Sequence, residues 1–229
     1  MDSKDCWLRG NCAKKHCDDP NGCLILFKLN YLYEEANIPL KSRKKIALYP
    51  DSDNTDLNEF KKLSEIQNNI LDFVNNGRNL YLHSSQCGNG KTAWSLRLMQ
   101  TYFNKIWLKT SLSCRGLFIS VPQYLLALKD NITTKSSYVQ HVKDNIKTAD
   151  LVIWDDIATK VSTPFEAENL FAAIDARINA GKANIFTSNL SNQELQKALG
   201  DRLASRICNL DYNIELHGGD KRHFTDKGE

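Results

Sequence analysis

The sequence predicts an α/β protein in which helices cover both faces of a parallel sheet, preceded by a small cysteine-rich module. Three observations predict this architecture. Apolar strand-like runs alternate with helix-like runs along most of the chain. A glycine-rich turn, residues 85–92, stands between one such strand and one such helix. Four of the seven cysteines fall in the first 23 residues, outside this alternating pattern.

Composition limits the protein class. A chain of 229 residues can bury one full core and a small extra module. The apolar content of 41% and the charged content of 25% are ordinary for a soluble globular protein. No run approaches the ~18 apolar residues of a membrane span, and the polar N-terminus does not resemble a secretory signal, so we expect a cytoplasmic protein. The net charge of +3 is too small to indicate nucleic-acid binding by itself.

The first 23 residues carry cysteines at the spacing C-x5-C-x4-C-x5-C. A reducing cytosol disfavours disulfides, and four thiolates can close a tetrahedral zinc site that folds a segment without its own core. We therefore predict zinc at Cys6, Cys12, Cys17 and Cys23. Small buried thiols and a labile iron–sulfur cluster are the alternatives, and His16 could replace one cysteine as a ligand.

An apolar helix over residues 24–35 is predicted to pack on the cysteine module, and a basic linker with one proline follows. We place the boundary between Ile38 and Asp56. Residues 1–45 then form the N-terminal module with its linker, and residues 56–229 form the α/β domain. A capping arrangement of Asp56 and Glu59 opens a helix whose apolar residues recur at helical spacing until Gly77.

The remaining elements alternate between strands and helices. Capping sequences at Thr163-Pro164 and Ser191-x-x-Glu194 mark two helix starts. The predicted strands cover residues 79–84, 116–121, 151–154, 183–187 and 212–216. The predicted helices cover residues 93–99, 123–129, 138–147, 164–181, 191–200 and 201–208.

The turn after the first strand is typical of a phosphate-binding P-loop, because strand, glycine-rich turn, Gly-Lys-Thr and helix follow one another. Backbone N–H groups of such a turn wrap an anion, and the helix N-terminus adds positive charge. Lys91 would reach the β- and γ-phosphates of ATP, and the Thr92 hydroxyl would bind Mg²⁺. Ser85 stands where the consensus has glycine. The predicted nucleotide contacts are Ser85, Gln86, Cys87, Gly88, Asn89, Gly90, Lys91, Thr92 and Ala93.

Two aspartates follow the apolar strand 151–154, and ligands of open parallel sheets bind at the carboxyl ends of strands. We predict that Asp155 holds Mg²⁺ and that Asp156 orients or deprotonates the attacking water. Taken alone, the pair could also be acids in an ordinary turn.

The P-loop, the acids about 60 residues later, and the runs Phe-Thr-Ser-Asn189 and Gly-Asp-Arg-Leu-Ala-Ser-Arg206 together resemble the AAA+ ATPases. Within them the chain is most similar to the DnaC/DnaI type of replicative-helicase loader, including phage-encoded versions, over about residues 57–224. The resemblance implies that Asn189 is the first sensor, that Arg206 is an arginine finger acting on a neighbouring subunit, and that Arg222 is the second sensor. Most of the superfamily has Glu at the place of Asp156, so slow hydrolysis is expected.

The resemblance implies a function in loading the helicase. ATP binding would join protomers, the N-terminal module would grip a hexameric replicative helicase, and the ATPase domains would hold single-stranded DNA until hydrolysis releases the loader. The alternatives are a transposition helper ATPase of the IstB type and a nucleotide-gated adaptor with little hydrolysis. Basic residues that could contact DNA, or form a solvated face, are Lys105, Lys109, Arg115 and Lys129.

Overall fold

The computed structural model describes residues 6–8, 22–44, 46–50, 55–131, 134–158, 162–208 and 211–221. Its strands are β1 (Asn79–His83), β2 (Gly116–Ser120), β3 (Leu151–Asp155), β4 (Ala183–Ser188) and β5 (Tyr212–Glu215). Its helices are α1 (Leu24–Glu35), α2 (Leu57–Asn68), α3 (Ile70–Asn75), α4 (Lys91–Ile106), α5 (Val121–Asp130), α6 (Ser137–Asn145), α7 (Pro164–Asn179), α8 (Asn192–Leu199) and α9 (Asp201–Cys208). A single 3-10 turn, Leu40–Ser42, follows α1.

The five strands form one parallel sheet in the order β2-β3-β4-β1-β5. Strand β4 lies between β1 and β3, with Ser188 opposite His83 and Phe186 opposite Trp154. The carboxyl ends of β1, β3 and β4 therefore meet at one edge of the sheet, where ligands of open α/β sheets bind. This order brings the glycine-rich turn, the two aspartates and the Thr-Ser-Asn run together.

Helices cover both faces of the sheet, as the sequence predicts. Alternate residues along each strand enter two separate hydrophobic clusters, because successive side chains of a strand point to opposite faces. Helices α1 to α4 pack on the face that carries Leu80 and Ile153. Helices α5 to α9 pack on the face that carries Tyr81 and Trp154. The central strands β1, β3 and β4 are buried along their whole length, which explains their continuous apolar runs.

Helix α1 has the predicted bounds and packs directly on the α/β core. The Tyr33 ring meets the Phe103 ring of α4 edge to face at 5.3 Å. The Gln100 side chain donates to the carbonyl oxygens of Ser42 and Lys44 at 3.0 Å each. The predicted division of the chain after residue 45 stays a prediction, and Cys12, Cys17, His16 and Arg222 lie outside the described residues.

The single helix predicted before β1 is wrong in two respects. It breaks at Asn69, which leaves the helical conformation and whose side chain donates to the Glu65 carbonyl at 3.1 Å. Asp56 makes no side-chain capping bond. Its carboxylate instead binds Lys221 Nζ at 2.7 Å, a partner 165 residues away that local sequence could not indicate.

The other two capping boxes form as predicted. Thr163 accepts a hydrogen bond from the Glu166 backbone N–H, and the Glu166 carboxylate accepts one from the Thr163 N–H. Ser191 and Glu194 form the same pair at the start of α8. Among the described residues, no helix is long and apolar enough to cross a bilayer.

Candidate nucleotide-binding site

The glycine-rich turn connects β1 to α4 with two glycines in the left-handed region. Gly88 has φ 78° and Gly90, the N-cap of α4, has φ 101°. These angles favour glycine, because a Cβ is strained in the left-handed region. Within the described chain the non-glycine residues with positive φ are Asn37, Asp156 and Ala158. Ser85 therefore fits the first consensus position without left-handed strain.

Hydrogen bonds within the turn fix its shape. The Ser84 hydroxyl accepts from the Gln86 backbone N–H at 3.1 Å and from the Asn89 side chain. The Asn89 amide also donates to the Leu216 carbonyl after β5 at 3.3 Å. Asn89 is buried, whereas Ser85, Gln86 and Cys87 are exposed. Asn89 thus supports the turn from within, and the sequence did not distinguish this role from phosphate contact.

Lys91 begins α4 and is 6% exposed. Its Nζ donates to the Gln86 carbonyl at 2.8 Å and to Asn89 Oδ1 at 3.1 Å, both within the turn. The ammonium is therefore held against the loop whose N–H groups, with those of Ala93 and the rest of the first turn of α4, can face an anion. This arrangement fits a polyphosphate, because each phosphate oxygen would meet a positive charge or a donor.

Thr92 lies opposite Asp155. The Thr92 hydroxyl donates to Asp155 Oδ1 at 2.9 Å, and the Thr187 hydroxyl donates to the same oxygen at 2.8 Å. Burial raises the pKa of Asp155, and the hydrogen bond from Thr187 opposes that shift. Adjacent hydroxyl and carboxylate oxygens are the hard ligands that Mg²⁺ prefers, so this pair fits a magnesium ion carried by a nucleotide.

Asp156 follows Asp155 with φ 55°. Aspartate is one of the few residues that tolerate the left-handed region, and such strain concentrates at functional sites. The Asp156 backbone N–H donates to Thr187 Oγ1 at 2.9 Å, which fixes this turn to β4. Asp156 also lines a cavity of about 340 Å³ between α5 and α7, whose walls are mainly apolar and include Lys129 and Glu166.

Thr187 is the functional residue that the sequence reasoning missed. Its hydroxyl contacts both the Asp155 carboxylate and the Asp156 N–H, so it fixes the positions of the two acids. The sequence did carry a feature that could have identified Thr187: it is a hydroxyl residue at the end of a strand, and a neighbouring strand ends in two acids.

Comparison with known proteins agrees with this geometry. The profile of the bacterial DnaA ATPase domain matches residues 54–210. The chain belongs to this family. A search of curated protein sequences finds no significant match to this chain.

Solved structures share the fold of this DnaA-type ATPase domain. The DnaC helicase loader aligns with a TM-score of 0.60 at 17% identity, over 74% of this chain and 93% of that one. DnaI aligns with a TM-score of 0.59 at 22% identity, over 81% and 94%. The replication initiator DnaA, bound to AMPPCP and single-stranded DNA, aligns with 0.55 at 18%, over 79% of this chain and half of that one. The predicted resemblance to AAA+ ATPases of the DnaC/DnaI type is confirmed.

Of the two predicted sensors, the structure describes Asn189. Asn189 follows β4 at the ligand-binding edge and is exposed. Arg222 lies beyond the described residues, but the segment before it crosses the P-loop. The Lys221 N–H donates to the Gly88 carbonyl at 2.9 Å, and a Cβ on Gly88 would lie 2.0 Å from Asp220 Oδ1. A side chain at Gly88 would therefore displace the Asp220 carboxylate from this close approach.

Arg206, the predicted finger, is exposed on α9. Its Nη2 lies 2.8 Å from Asp175 Oδ1 of α7. Arg202, one turn earlier, stacks on the Phe171 ring at 4.6 Å. Both arginine side chains of α9 thus pack against α7. The contacts of the described residues do not bring Arg206 to this chain's own P-loop.

Most of the basic residues considered for DNA contact take part in internal contacts of the DnaA-type domain. Lys109 is exposed. The other three bind groups of the same chain: Lys105 binds the Asn68 carbonyl at 2.7 Å, Arg115 binds Asp150 at 2.6 Å and Lys129 binds Glu166 at 2.8 Å.

The predicted zinc set is described only in part. Cys6 and Cys23 are half-buried free thiols that pack against the cluster containing α1. The other two predicted ligands, Cys12 and Cys17, lie in the part of the chain that is not described.

Proposed function

We propose that this protein is a magnesium-dependent ATPase that loads the replicative DNA helicase onto single-stranded DNA, with ATP binding driving assembly and hydrolysis driving release. One observation carries the proposal: Lys91, Thr92 and Asp155 lie together in an arrangement that fits a magnesium nucleotide, on a fold shared with a helicase loader. The general part of this function, an ATPase domain related to replication proteins, follows from the family match.

The residues of the site have separate tasks in this proposal. Lys91 neutralises the β- and γ-phosphates, while Thr92 and Asp155 hold Mg²⁺, which supplies further charge neutralisation when bound. Partial burial of these groups strengthens their electrostatic effect. Asp156 orients the attacking water, and Asn189 senses the γ-phosphate from the end of β4. The Asp156 side chain is one methylene shorter than Glu, so we propose slow turnover.

We propose that Arg206 completes the site of a neighbouring protomer. It is 46% exposed in its side chain, and its contact with Asp175 must open for it to reach a partner's nucleotide. An arginine supplied in trans stabilises charge in the transition state and makes hydrolysis depend on assembly. Arg206→Ala should therefore abolish ATP turnover stimulated by assembly, whereas Arg202→Ala on the same helix serves as the matched control.

Two observations support the proposed partners: the shared fold and one exposed apolar surface. DnaC is a helicase loader and DnaA has been seen with single-stranded DNA, and both share this fold. Leu24 and Phe27, each 57% exposed, lie one turn apart on α1 and offer an apolar surface for the helicase. We place this contact on the N-terminal module.

We also propose that Cys6, Cys12, Cys17 and Cys23 bind structural zinc. The spacing of the four cysteines supports this proposal, and the two described thiols, Cys6 and Cys23, are free and half-buried. Metal analysis of wild type and Cys12→Ser tests this: we expect one zinc fewer in the variant, and equal zinc contents would contradict the assignment.

Capture of the host replicative helicase by the purified chain, with ATP, ADP or no nucleotide, tests the function. We expect capture with ATP and its loss in Lys91→Ala, while Lys147→Ala, which changes an exposed lysine outside the site, behaves as wild type. Equal capture with ATP, with ADP, without nucleotide and in Lys91→Ala would contradict the loader proposal. ATP turnover with single-stranded DNA that equals the rate of Asp155→Ala would indicate an adaptor without hydrolysis.

A further inference from the structure

Away from the nucleotide site, three side chains with metal-binding chemistry meet where α1 joins the α/β core. Glu35 ends α1, Cys114 precedes β2 and His141 lies on α6. One ligand atom from each lies within 4.8 Å of the others. Cys114 is 8% exposed and the other two are half-buried, so the cluster lies in the joint between these elements.

A main-chain oxygen also lies in this cluster. The Glu35 carbonyl oxygen is 2.8 Å from His141 Nε2 and 3.6 Å from Cys114 Sγ. Without metal, the imidazole N–H and the thiol can both donate to this oxygen, and the thiol also lies 3.3 Å from the Gly116 carbonyl. The ring N–H and the thiol therefore have acceptors, while a sulfur, a ring nitrogen and a carboxylate oxygen stay close together.

We propose that Glu35, Cys114 and His141 bind one Zn²⁺ ion. Thiolate, imidazole and carboxylate are the ligands that zinc takes in proteins, at about 2.0–2.3 Å, so tetrahedral ligand atoms lie roughly 3.3–3.8 Å apart. The side chains need to move by only about 1 Å to reach that spacing from 4.8 Å. Three protein ligands leave the fourth position to water or to the Glu35 carbonyl oxygen.

Zinc binding would displace one proton from the Cys114 thiol, because the ligand is the thiolate. Burial raises the pKa of that thiol to about 12, so the metal-free site is protonated at neutral pH. With Nε2 as the ligating nitrogen, the ring N–H of His141 would move to Nδ1, which lies 3.4 Å from the Asn145 side-chain amide nitrogen. The Asn145 amide would turn so that its oxygen accepts from that N–H.

The proposed ion would fix the N-terminal helix on the ATPase core. The same joint already contains the hydrogen bond from the Phe118 N–H to the Ala36 carbonyl at 2.8 Å. It also contains bonds from Lys28 Nζ to the carbonyls of Leu108 and Thr110, each at 3.3 Å. Zinc would add ligands from three elements to these contacts. This site shares no residue with the proposed N-terminal cysteine site.

The zinc content of the full chain, measured by mass spectrometry of the metal after dialysis against buffered zinc, tests the proposal. Cys114→Ser and His141→Gln are the test variants, and Gln keeps an N–H donor for the Glu35 carbonyl. Cys208→Ser, which removes a half-buried thiol on α9, is the control. We expect one zinc fewer per chain in each test variant than in wild type and in the control.

The measured quantity is the difference in zinc content between wild type and each variant. Zinc at the N-terminal cysteines is present in both proteins and therefore does not affect this difference. Repeating the comparison in a Cys12→Ser background should leave the difference at one zinc. With Co²⁺ in place of zinc, Cys114→Ser should lose part of the near-ultraviolet thiolate-to-cobalt absorption. If either test variant is folded by circular dichroism and holds as much zinc as wild type, the proposal is overturned.

Discussion

Arg177 is the most deeply buried charge among the described residues. It is fully buried on α7, and burial lowers its pKa to about 9, so it stays charged at neutral pH. Its guanidinium donates to Asn184 Oδ1 at 2.7 Å and to the carbonyl oxygens of Ile146, Ala149 and Ala183. A single side chain thus donates hydrogen bonds to buried acceptors in the segment before β3 and at the start of β4.

Arg177→Met should lower the free energy of unfolding by about 3–5 kcal/mol, because the three buried carbonyl oxygens lose the donor that Arg177 supplies. Asn184 Oδ1 also loses that donor but keeps its hydrogen bond from Trp154 Nε1 at 3.1 Å. Urea unfolding measures the effect. Arg78→Met is the control: Arg78 pairs with Asp211 at 2.6 Å, but its side chain is 47% exposed, so its loss should destabilise the protein much less than the loss of Arg177. Equal midpoints for the two variants would show that the Arg177 network contributes little.

His83 ends β1 beside the P-loop. Burial lowers its pKa, and its Nε2 lies 2.9 Å from Asn213 Oδ1. Below pH about 6.5 the unfolded chain then binds more protons at this residue than the folded chain does, so stability falls as the pH falls. Above that pH both states are neutral and the effect disappears.

His83→Gln should therefore remove part of the loss of stability between about pH 6.5 and pH 5. Urea midpoints of wild type and His83→Gln across this range measure the effect. A wild-type stability that stays flat, or rises, as the pH is lowered through this range would contradict the assignment.

Strands β3 and β4 act together through Thr187, whose hydroxyl holds both the Asp155 carboxylate and the Asp156 N–H. Neither strand alone positions the two acids. The left-handed turn at Asp156 leaves β3, and its hydrogen bond to β4 keeps it in place.

Thr187→Val keeps the side-chain shape and removes both hydrogen bonds. Because small displacements of positioned groups reduce rates strongly, we expect ATP turnover with single-stranded DNA to fall roughly tenfold to a hundredfold. The KM for ATP should change much less, since Lys91 is untouched. Thr101→Val, which loses only a bond to the Arg97 carbonyl within α4, is the control. Unchanged turnover in Thr187→Val would exclude a positioning role.

At the scale of the whole molecule, the elements that the sequence predicts well are those specified locally. The strands are apolar runs that turns interrupt, and the capping boxes of α7 and α8 involve residues three apart. The P-loop and Asp155 carry their own motifs. The order of the strands brings these motifs together, as the resemblance implies.

Long-range contacts account for what could not be predicted. Asp56 looks like a helix cap but binds Lys221, and Arg177 has the sequence context of a surface helix but lies in the core. Helix α1 was assigned to a cysteine module, yet its buried face joins the cluster of α4. Each of these outcomes depends on a partner far away in the chain, which local patterns do not identify.

The packing of α1 makes a prediction about the cooperativity of the whole chain. Leu29 is 1% exposed and belongs to the same core cluster as Leu98 and Phe103 of α4, whereas Leu24 on the same helix is 57% exposed. If α1 and the ATPase core unfold as one unit, a cavity at Leu29 should destabilise the nucleotide site as well.

Leu29→Ala should lower the free energy of unfolding by about 2–5 kcal/mol, and Leu24→Ala should change it little. Leu and Ala have similar helix propensities, so the difference reports packing. In wild type, helix content measured by circular dichroism and binding of a fluorescent ATP analogue should be lost at the same urea concentration. In Leu29→Ala, the urea midpoints of both signals should be lowered by the same amount. If analogue binding kept its wild-type midpoint while helix content fell earlier, α1 would unfold separately from the ATPase core.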